Sequence, residues 1–187
     1  MTWLEIIVLA VVQGMTEFLP ISSSGHLVLA PALLGWSDQG IAFDVAVHVG
    51  TLAAVVWFFR TDIARMVQAF LGQWSGAQSE TRRHDARLAW FLILATIPVG
   101  LVGILFKDFI EANLRSPAII AATTAGFGVA LWLAERFGNK ARELDKIRLV
   151  DALAIGVSQA LALVPGTSRS GVTMTTGLFL GLTPTAA

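Results

Sequence analysis

Cysteine is absent from the 187-residue sequence, which excludes disulfides and thiolate metal centres. Charge is scarce at 14% of residues, and thirteen basic against thirteen acidic side chains leave no excess of either sign. That balance argues against a nucleic-acid partner, which would call for a basic surplus, and against an acidic tail. The first twelve residues lack a basic n-region and a small-residue cleavage site, so the apolar start is read as mature protein, not a cleaved signal. What the chain does have is apolar side chains. Hydrophobic residues make up 55% and the mean hydropathy is +0.71, more than a soluble domain of this length needs to fill its core. The expected class is an all-α integral membrane protein, in one membrane domain over residues 1–187.

Three apolar stretches, 41–59, 88–106 and 117–133, are long enough to cross a bilayer, which takes ~20 residues. The connections 60–87 and 135–148 carry five Lys or Arg residues each, whereas 35–40 and 107–116 carry only Lys107 and Arg115. By the positive-inside rule the two basic connections are cytoplasmic and the two poor ones external, which alternates correctly over three crossings.

Two segments that resemble each other stand outside those crossings. At one offset of 146 residues Gln13 matches Gln159, Ser22 matches Ser168, Ser24 matches Ser170 and Gly25 matches Gly171. Each copy sets a proline and a serine-bearing turn inside an apolar stretch, and irregular backbone at membrane depth is tolerated only where it is buried in protein or lines a polar cavity. Residues 1–34 therefore read as a re-entrant hairpin, broken at 19–24, that enters and leaves on the external side. Residues 147–187 open a second repeat with a similar hairpin, which after an odd number of crossings enters from the cytoplasmic side. The architecture expected is an inverted-topology repeat, 1–146 and 147–187, with the second copy truncated before its crossings and the two broken tips meeting near the bilayer midplane.

The chemistry sits at those tips. Gln13 and Glu17 are four apart and share a helix face. Pro20 stops that helix, and Ser22, Ser23 and Ser24 stand where they could cap the next, with His26 one turn inside it. In the second copy Ser168 and Ser170 occupy the equivalent positions and Arg169 lies between them. Two helix N-termini aimed at one point favour an anion, and an arginine fork suits phosphate. A serine run after proline is by itself more often a turn and cap than a nucleophile, and a lone histidine is usually a hydrogen-bonded filler. Glu17, His26 and Arg169 together inside a membrane point instead to a site. Asp44 and His48 also share a face, where a structural contact and a site role weigh equally, and Glu5 is expected to be solvated.

The stretches QGMTEFLPISSSGHL (13–27), FDVAVHVGT (43–51), ATIPVGLVGILF (95–106) and PGTSRSGVT (165–173) together resemble the bacterial undecaprenyl-diphosphatase family of integral membrane phosphatases, the bacitracin-resistance type. The family's E/Q-x-x-x-E box falls on Gln13 and Glu17, and its PGxSRSxxT box on Pro165 through Thr173. The resemblance implies hydrolysis of undecaprenyl diphosphate to the monophosphate that carries peptidoglycan precursors, in the bacterial plasma membrane, with the lipid bilayer and the polyprenyl lipid as partners and a homodimer left open. It implies Ser23 as nucleophile, His26 as its proton partner and Glu17 as a further catalytic group. It implies Glu17 with Gln13 as ligands of a divalent cation, Mg²⁺ or Ca²⁺. Arg169, Ser168, Ser170 and Thr173 then form the diphosphate clamp, with Ser22 and Ser24 beside them. Whether Ser23 or an activated water attacks is not decided by the residues. The family continues beyond the second box with further helices, so this chain is expected to be a fragment or a truncated product. A transporter or flippase of an anionic polyprenyl lipid is the alternative, since it would also use broken helices at the midplane but would have no need of Ser23 and His26.

Overall fold

The computed structural model describes residues 1–74, 79–114 and 116–187. Arg115, counted above with the external connections, lies outside the described residues. Among these residues the protein is built from eight α-helices and two short 3₁₀ turns, with no strand.

Helix α1 (Trp3–Thr16) starts on a capping box in which the Thr2 hydroxyl accepts from the Glu5 amide and the Glu5 carboxylate accepts from the Thr2 amide. Glu5, expected to be merely solvated, thus satisfies an orphan donor of the first turn. The chain then turns through residues 17–22, slightly earlier than the expected break, because Ser23 and Ser24 already belong to α2 (Ser23–Leu34). Helix α2 ends on Gly35 in the left-handed conformation. Helix α3 (Ile41–Phe58) fills the first expected crossing, and α4 (Arg60–Leu71) follows after the single residue Phe59.

The second crossing is longer than its apolar stretch. Helix α5 (Glu80–Asn113) has 34 residues, about 51 Å at 1.5 Å per residue, against ~30 Å of hydrocarbon. Hydropathy marks where a helix leaves the lipid, whereas its end is set by a cap or a breaker; Ser79 caps the start, and residues 80–87 are mostly good helix formers. Helix α6 (Pro117–Phe137) likewise runs past the expected 133, with Ser116 as cap and proline in its first turn. The chain finishes with α7 (Leu149–Gln159), a 3₁₀ turn (Ala160–Leu163), a break at 164–168, and α8 (Arg169–Phe179).

The protein is apolar outside and partly polar inside. Helices α3, α5 and α6 are long and apolar enough to cross a membrane, and large hydrophobics such as Trp57, Ile104 and Leu105 are exposed on them. The buried set includes Gln13, Thr16, Ser22, Thr51, Asp151, Thr167, Ser168 and Thr175. In lipid the tails solvate the apolar faces, and polar groups gather where protein can satisfy them. Helix α7 packs on α5 and α8 on α6, and a Cβ added at Gly156 would stand 2.5 Å from the Ala95 carbonyl oxygen, so only glycine allows this approach.

One buried charge fastens the second hairpin. Asp151, fully buried in the first turn of α7, accepts from the Arg142 guanidinium through both oxygens and from the Arg148 amide at 2.8 Å. Arg142 Nη1 also donates to the Leu180 carbonyl at 2.8 Å, which ties the end of α8 to the start of α7. The Arg142 hydrogen bond, aided by Arg148, holds the Asp151 carboxyl well below the usual carboxylate range. A depressed carboxyl stabilises the fold above its unfolded value, ~3.9, and that contribution fades as the pH falls below it. Asp151→Asn is therefore expected to cost about 2–3 kcal/mol, read as a fall of roughly 5–10 °C in melting temperature at pH 7, with the gap to wild type narrowing below pH 4. A variant that melts with wild type at pH 7 would contradict this.

Sidedness is testable through the absence of cysteine. Single cysteines placed in 60–74 or 138–148 are expected to react with an impermeant thiol reagent only after the cytoplasmic side is opened, and cysteines in 35–40 without opening. Labelling of the 60–74 segment from outside would reverse the orientation.

Candidate functional site

The two breaks meet. Ser170 Oγ donates to the Leu19 carbonyl across 151 residues of sequence at 2.9 Å, and a Cβ at Gly171 would stand 3.3 Å from the Pro20 oxygen. Both return helices begin in the same manner. Ser22 caps α2 by accepting from the Gly25 amide at 3.2 Å, and Ser168 caps α8 by accepting from the Gly171 amide at 3.1 Å. The Ser22 and Ser24 hydroxyls lie 3.2 Å apart, the Ser168 and Ser170 hydroxyls 3.1 Å apart. Positions related by the 146-residue offset are thus given the same local structure.

The breaks need outside partners for their backbone. Helix α6 supplies them for the second: Thr123 Oγ1 donates to the Pro165 carbonyl at 2.7 Å and Thr124 Oγ1 to the Gly166 carbonyl at 2.9 Å. Gly166 has φ +89° and lies so close to Thr123 and Ile120 that a side chain would collide. Neither threonine stood out in the sequence, because each looks like an ordinary residue of an apolar helix.

A cavity of about 180 Å³ lies between the tips, lined by Glu17, Ser22, Ser23, Ser24, His48, Thr167, Ser168, Arg169 and Ser170 with Ile21 and Ala162. A second space, about 770 Å³ and largely apolar, shares Glu17, Ser24, His48, Arg169 and Ser170 with it and runs on along α3 past Val45, Val49, Leu52 and Val55. Glu17 is the hub. Its Oε2 accepts from Ser23 Oγ at 2.6 Å and from Gln13 Nε2 at 3.0 Å, and lies 3.7 Å from His48 Nε2. Among the described residues Arg169 has no hydrogen bond or ion pair through its guanidinium, so a full positive charge faces the cavity without a protein counter-ion. A free arginine beside two serine-capped helix N-termini has the chemistry to seat a phosphate group.

Nine residues were singled out for the site besides Gln13. Glu17, Ser22, Ser23, Ser24, Ser168, Arg169 and Ser170 line the small cavity. Thr173 lines only the larger space, with its hydroxyl turned back onto the Arg169 and Ser170 carbonyls. His26 lines neither: its Nδ1 donates to the Ser22 carbonyl at 2.7 Å, one turn back on its own helix. The contact with Ser23 that the resemblance gave to His26 is made here by Glu17, which the break brings within reach. The histidine at the cavity is His48, which comes from α3 and which its sequence signal, one i, i+4 pair with Asp44, left evenly weighed.

The residues expected to hold a cation fit one in part. Glu17 Oε1 has no hydrogen-bond partner among the described residues, and Gln13 Oε1 is a buried acceptor without one, so both offer oxygen to a hard cation. No cluster of three His, Asp or Glu able to hold a metal occurs among the described residues. Phosphate oxygens would have to supply further ligands.

Three crossing-length helices around two broken ones, with an anion seat and a carboxylate-bound serine where the breaks meet, define a membrane-embedded protein that handles a phosphorylated ligand. The family model described as bacitracin resistance protein BacA matches residues 6–187, and the chain belongs to that family. Among curated relatives, an undecaprenyl-diphosphatase of Hahella chejuensis is 58% identical over 97% of this chain and 67% of its own length. Undecaprenyl-diphosphatase 2 of Stutzerimonas stutzeri is 54% identical over all of this chain and 69% of its own. An undecaprenyl-diphosphatase of Teredinibacter turnerae is 52% identical over all of this chain and 70% of its own. The chain thus spans about two thirds of the length of these relatives.

Proposed function

We propose that this protein is a phosphatase of undecaprenyl diphosphate, releasing its terminal phosphate and leaving undecaprenyl phosphate in the bilayer. The observation that carries the reading is the Ser23–Glu17 hydrogen bond in one cavity with the Arg169 guanidinium, which has no partner among the described residues. Relatives at 52–58% identity with that activity in their names support it. A flippase would need the anion seat but has no use for a serine whose proton already points at a carboxylate.

The chain's own groups can be given roles from their geometry. Arg169 and the serine-capped N-termini of α2 and α8 hold the terminal phosphate. Ser23 Oγ attacks phosphorus as its proton passes to Glu17 Oε2, a P–O bond forms, and the bridging P–O bond breaks to release the lipid monophosphate. Water then cleaves the phosphoserine, and the proton held on Glu17 leaves with the products. A divalent cation bound at Glu17 and Gln13 would draw charge from the diphosphate oxygens. Gln13 holds the Glu17 carboxylate in place through its amide, and His26 holds the turn by its bond to the Ser22 carbonyl. The larger apolar space suits the first prenyl units. The reading places the protein in the bacterial plasma membrane, with its two hairpins entering from opposite sides.

The direct check is phosphate release from undecaprenyl diphosphate by the purified protein in detergent. Release that falls on chelation and returns with Mg²⁺ or Ca²⁺ is expected; no release from this lipid under either condition would refute the assignment.

A further inference from the structure

His48 is the one histidine that the fold carries to the cavity, and it arrives with its ring held by a backbone contact. Its Nδ1 lies 2.6 Å from the Asp44 carbonyl oxygen, which can only accept, so Nδ1 carries a proton, and in the neutral ring the lone pair is on Nε2. That lone pair lies 3.7 Å from Glu17 Oε2, an atom that is also an acceptor. Two acceptors, one from the first break and one from α3, facing each other over a cavity gain from a cation between them. Donation of the second ring N–H to a backbone carbonyl is also the arrangement found behind most metal-ligating histidines, because it fixes the tautomer and aims the ring.

The distances agree. Ligands bonded at ~2.0–2.2 Å to one ion stand roughly 3–3.7 Å apart for angles between 90° and 120°. Helix α3 holds the imidazole firmly, since the buried Thr51 donates to the His48 carbonyl at 2.9 Å and Gln39 ties down Asp44 at 2.7 Å. Glu17 Oε1 makes no hydrogen bond among the described residues, so the carboxylate has an oxygen open to the ion besides the Oε2 that faces His48. The other charged group of the cavity, Arg169, faces the same space and calls for anionic ligands beside it.

We propose that His48 Nε2 joins the Glu17 carboxylate as a protein ligand of the divalent cation, beside the Gln13 amide oxygen and diphosphate oxygens. The proposal rests on the reading of the substrate as a diphosphate. An imidazole nitrogen in the set shifts preference from Ca²⁺, which takes oxygen alone, toward ions that accept mixed nitrogen and oxygen ligands, such as Mn²⁺ or Zn²⁺. His48 also sits where α3 lines both the small cavity and the apolar space, so the ion would mark the border between headgroup and tail.

The test is pulsed electron paramagnetic resonance of Mn²⁺ bound to the protein with methylenediphosphonate, a diphosphate that resists hydrolysis. Modulation from a directly coordinated ¹⁴N is expected in wild type, unchanged in His26→Gln, and lost in His48→Gln, with Mn²⁺ affinity about tenfold weaker in the last. A melting temperature for His48→Gln within a few degrees of wild type shows that the loss is not unfolding, and His48→Asn is a second variant should it unfold. Absence of bound Mn²⁺, absence of nitrogen coupling in wild type, or coupling that survives loss of His48 would each overturn the proposal. Phosphate release from undecaprenyl diphosphate, measured in parallel with Mg²⁺ or Ca²⁺ supplied in place of Mn²⁺, separates the two readings. Its absence strikes the substrate assignment, while release without a nitrogen signal strikes only the metal ligand.

Discussion

Arg169→Ala is expected to lower kcat for undecaprenyl diphosphate by roughly 10³–10⁵, the range found when an arginine that stabilises a transferring phosphoryl group is removed. Arg169 is the first residue of α8 and has no protein partner for its guanidinium among the described residues, so its charge is available to the ligand in full. The alanine variant should fold as wild type does, because no side-chain partner among the described residues is left unpaired by the change. Arg169→Lys should restore little, since an ammonium supplies the charge without the planar fork that meets two phosphate oxygens at once. A kcat within tenfold of wild type for the alanine variant, measured by phosphate release, would remove Arg169 from the site.

The second large effect is expected at Ser23. Ser23→Ala should reduce the rate by about 10⁴-fold or more, while Ser22→Ala and Ser168→Ala should mainly destabilise by ~1 kcal/mol each as lost helix caps. The three serines of the run look alike in sequence, yet the fold gives them separate tasks. Ser22 caps α2, Ser23 donates to Glu17 at 2.6 Å, and Ser24 pairs with Ser22. Glu17→Gln should match the Ser23 loss, and the double variant should be little worse than the worse single one, because a nucleophile and its base act as a unit. Losses that add in free energy would show the two working independently and would favour water as the attacking group.

Much of the architecture was legible because membrane insertion imposes one strong rule. A span must be apolar for about twenty residues, so α3, α5 and α6 announce themselves, and a proline with serines inside a further apolar stretch marks broken helices. Helix ends were less legible. Residues 80–87 are polar and look like loop, yet α5 runs through them, since leaving the lipid does not end a helix.

At the site, the sequence alone determined the identity of the chemistry. The doubled serine turn, with Glu17 on one copy and Arg169 on the other, sets which groups each break carries, because caps and breakers act over three or four residues. Which groups touch was decided only by tertiary structure. The short turn at 17–22 folds Glu17 onto Ser23 and leaves His26 bound to a carbonyl of its own helix, and α3 delivers His48 to the cavity from the far side. Thr123 and Thr124 on α6 satisfy the carbonyls of the second break from 42 residues away. Asp151, which in sequence is an ordinary acid in the first turn of a helix, becomes the buried anchor of the second hairpin once Arg142 reaches it. Such contacts depend on which helix faces join in three dimensions, and no local pattern encodes that; the breaks and caps that make the joining useful were written in the chain.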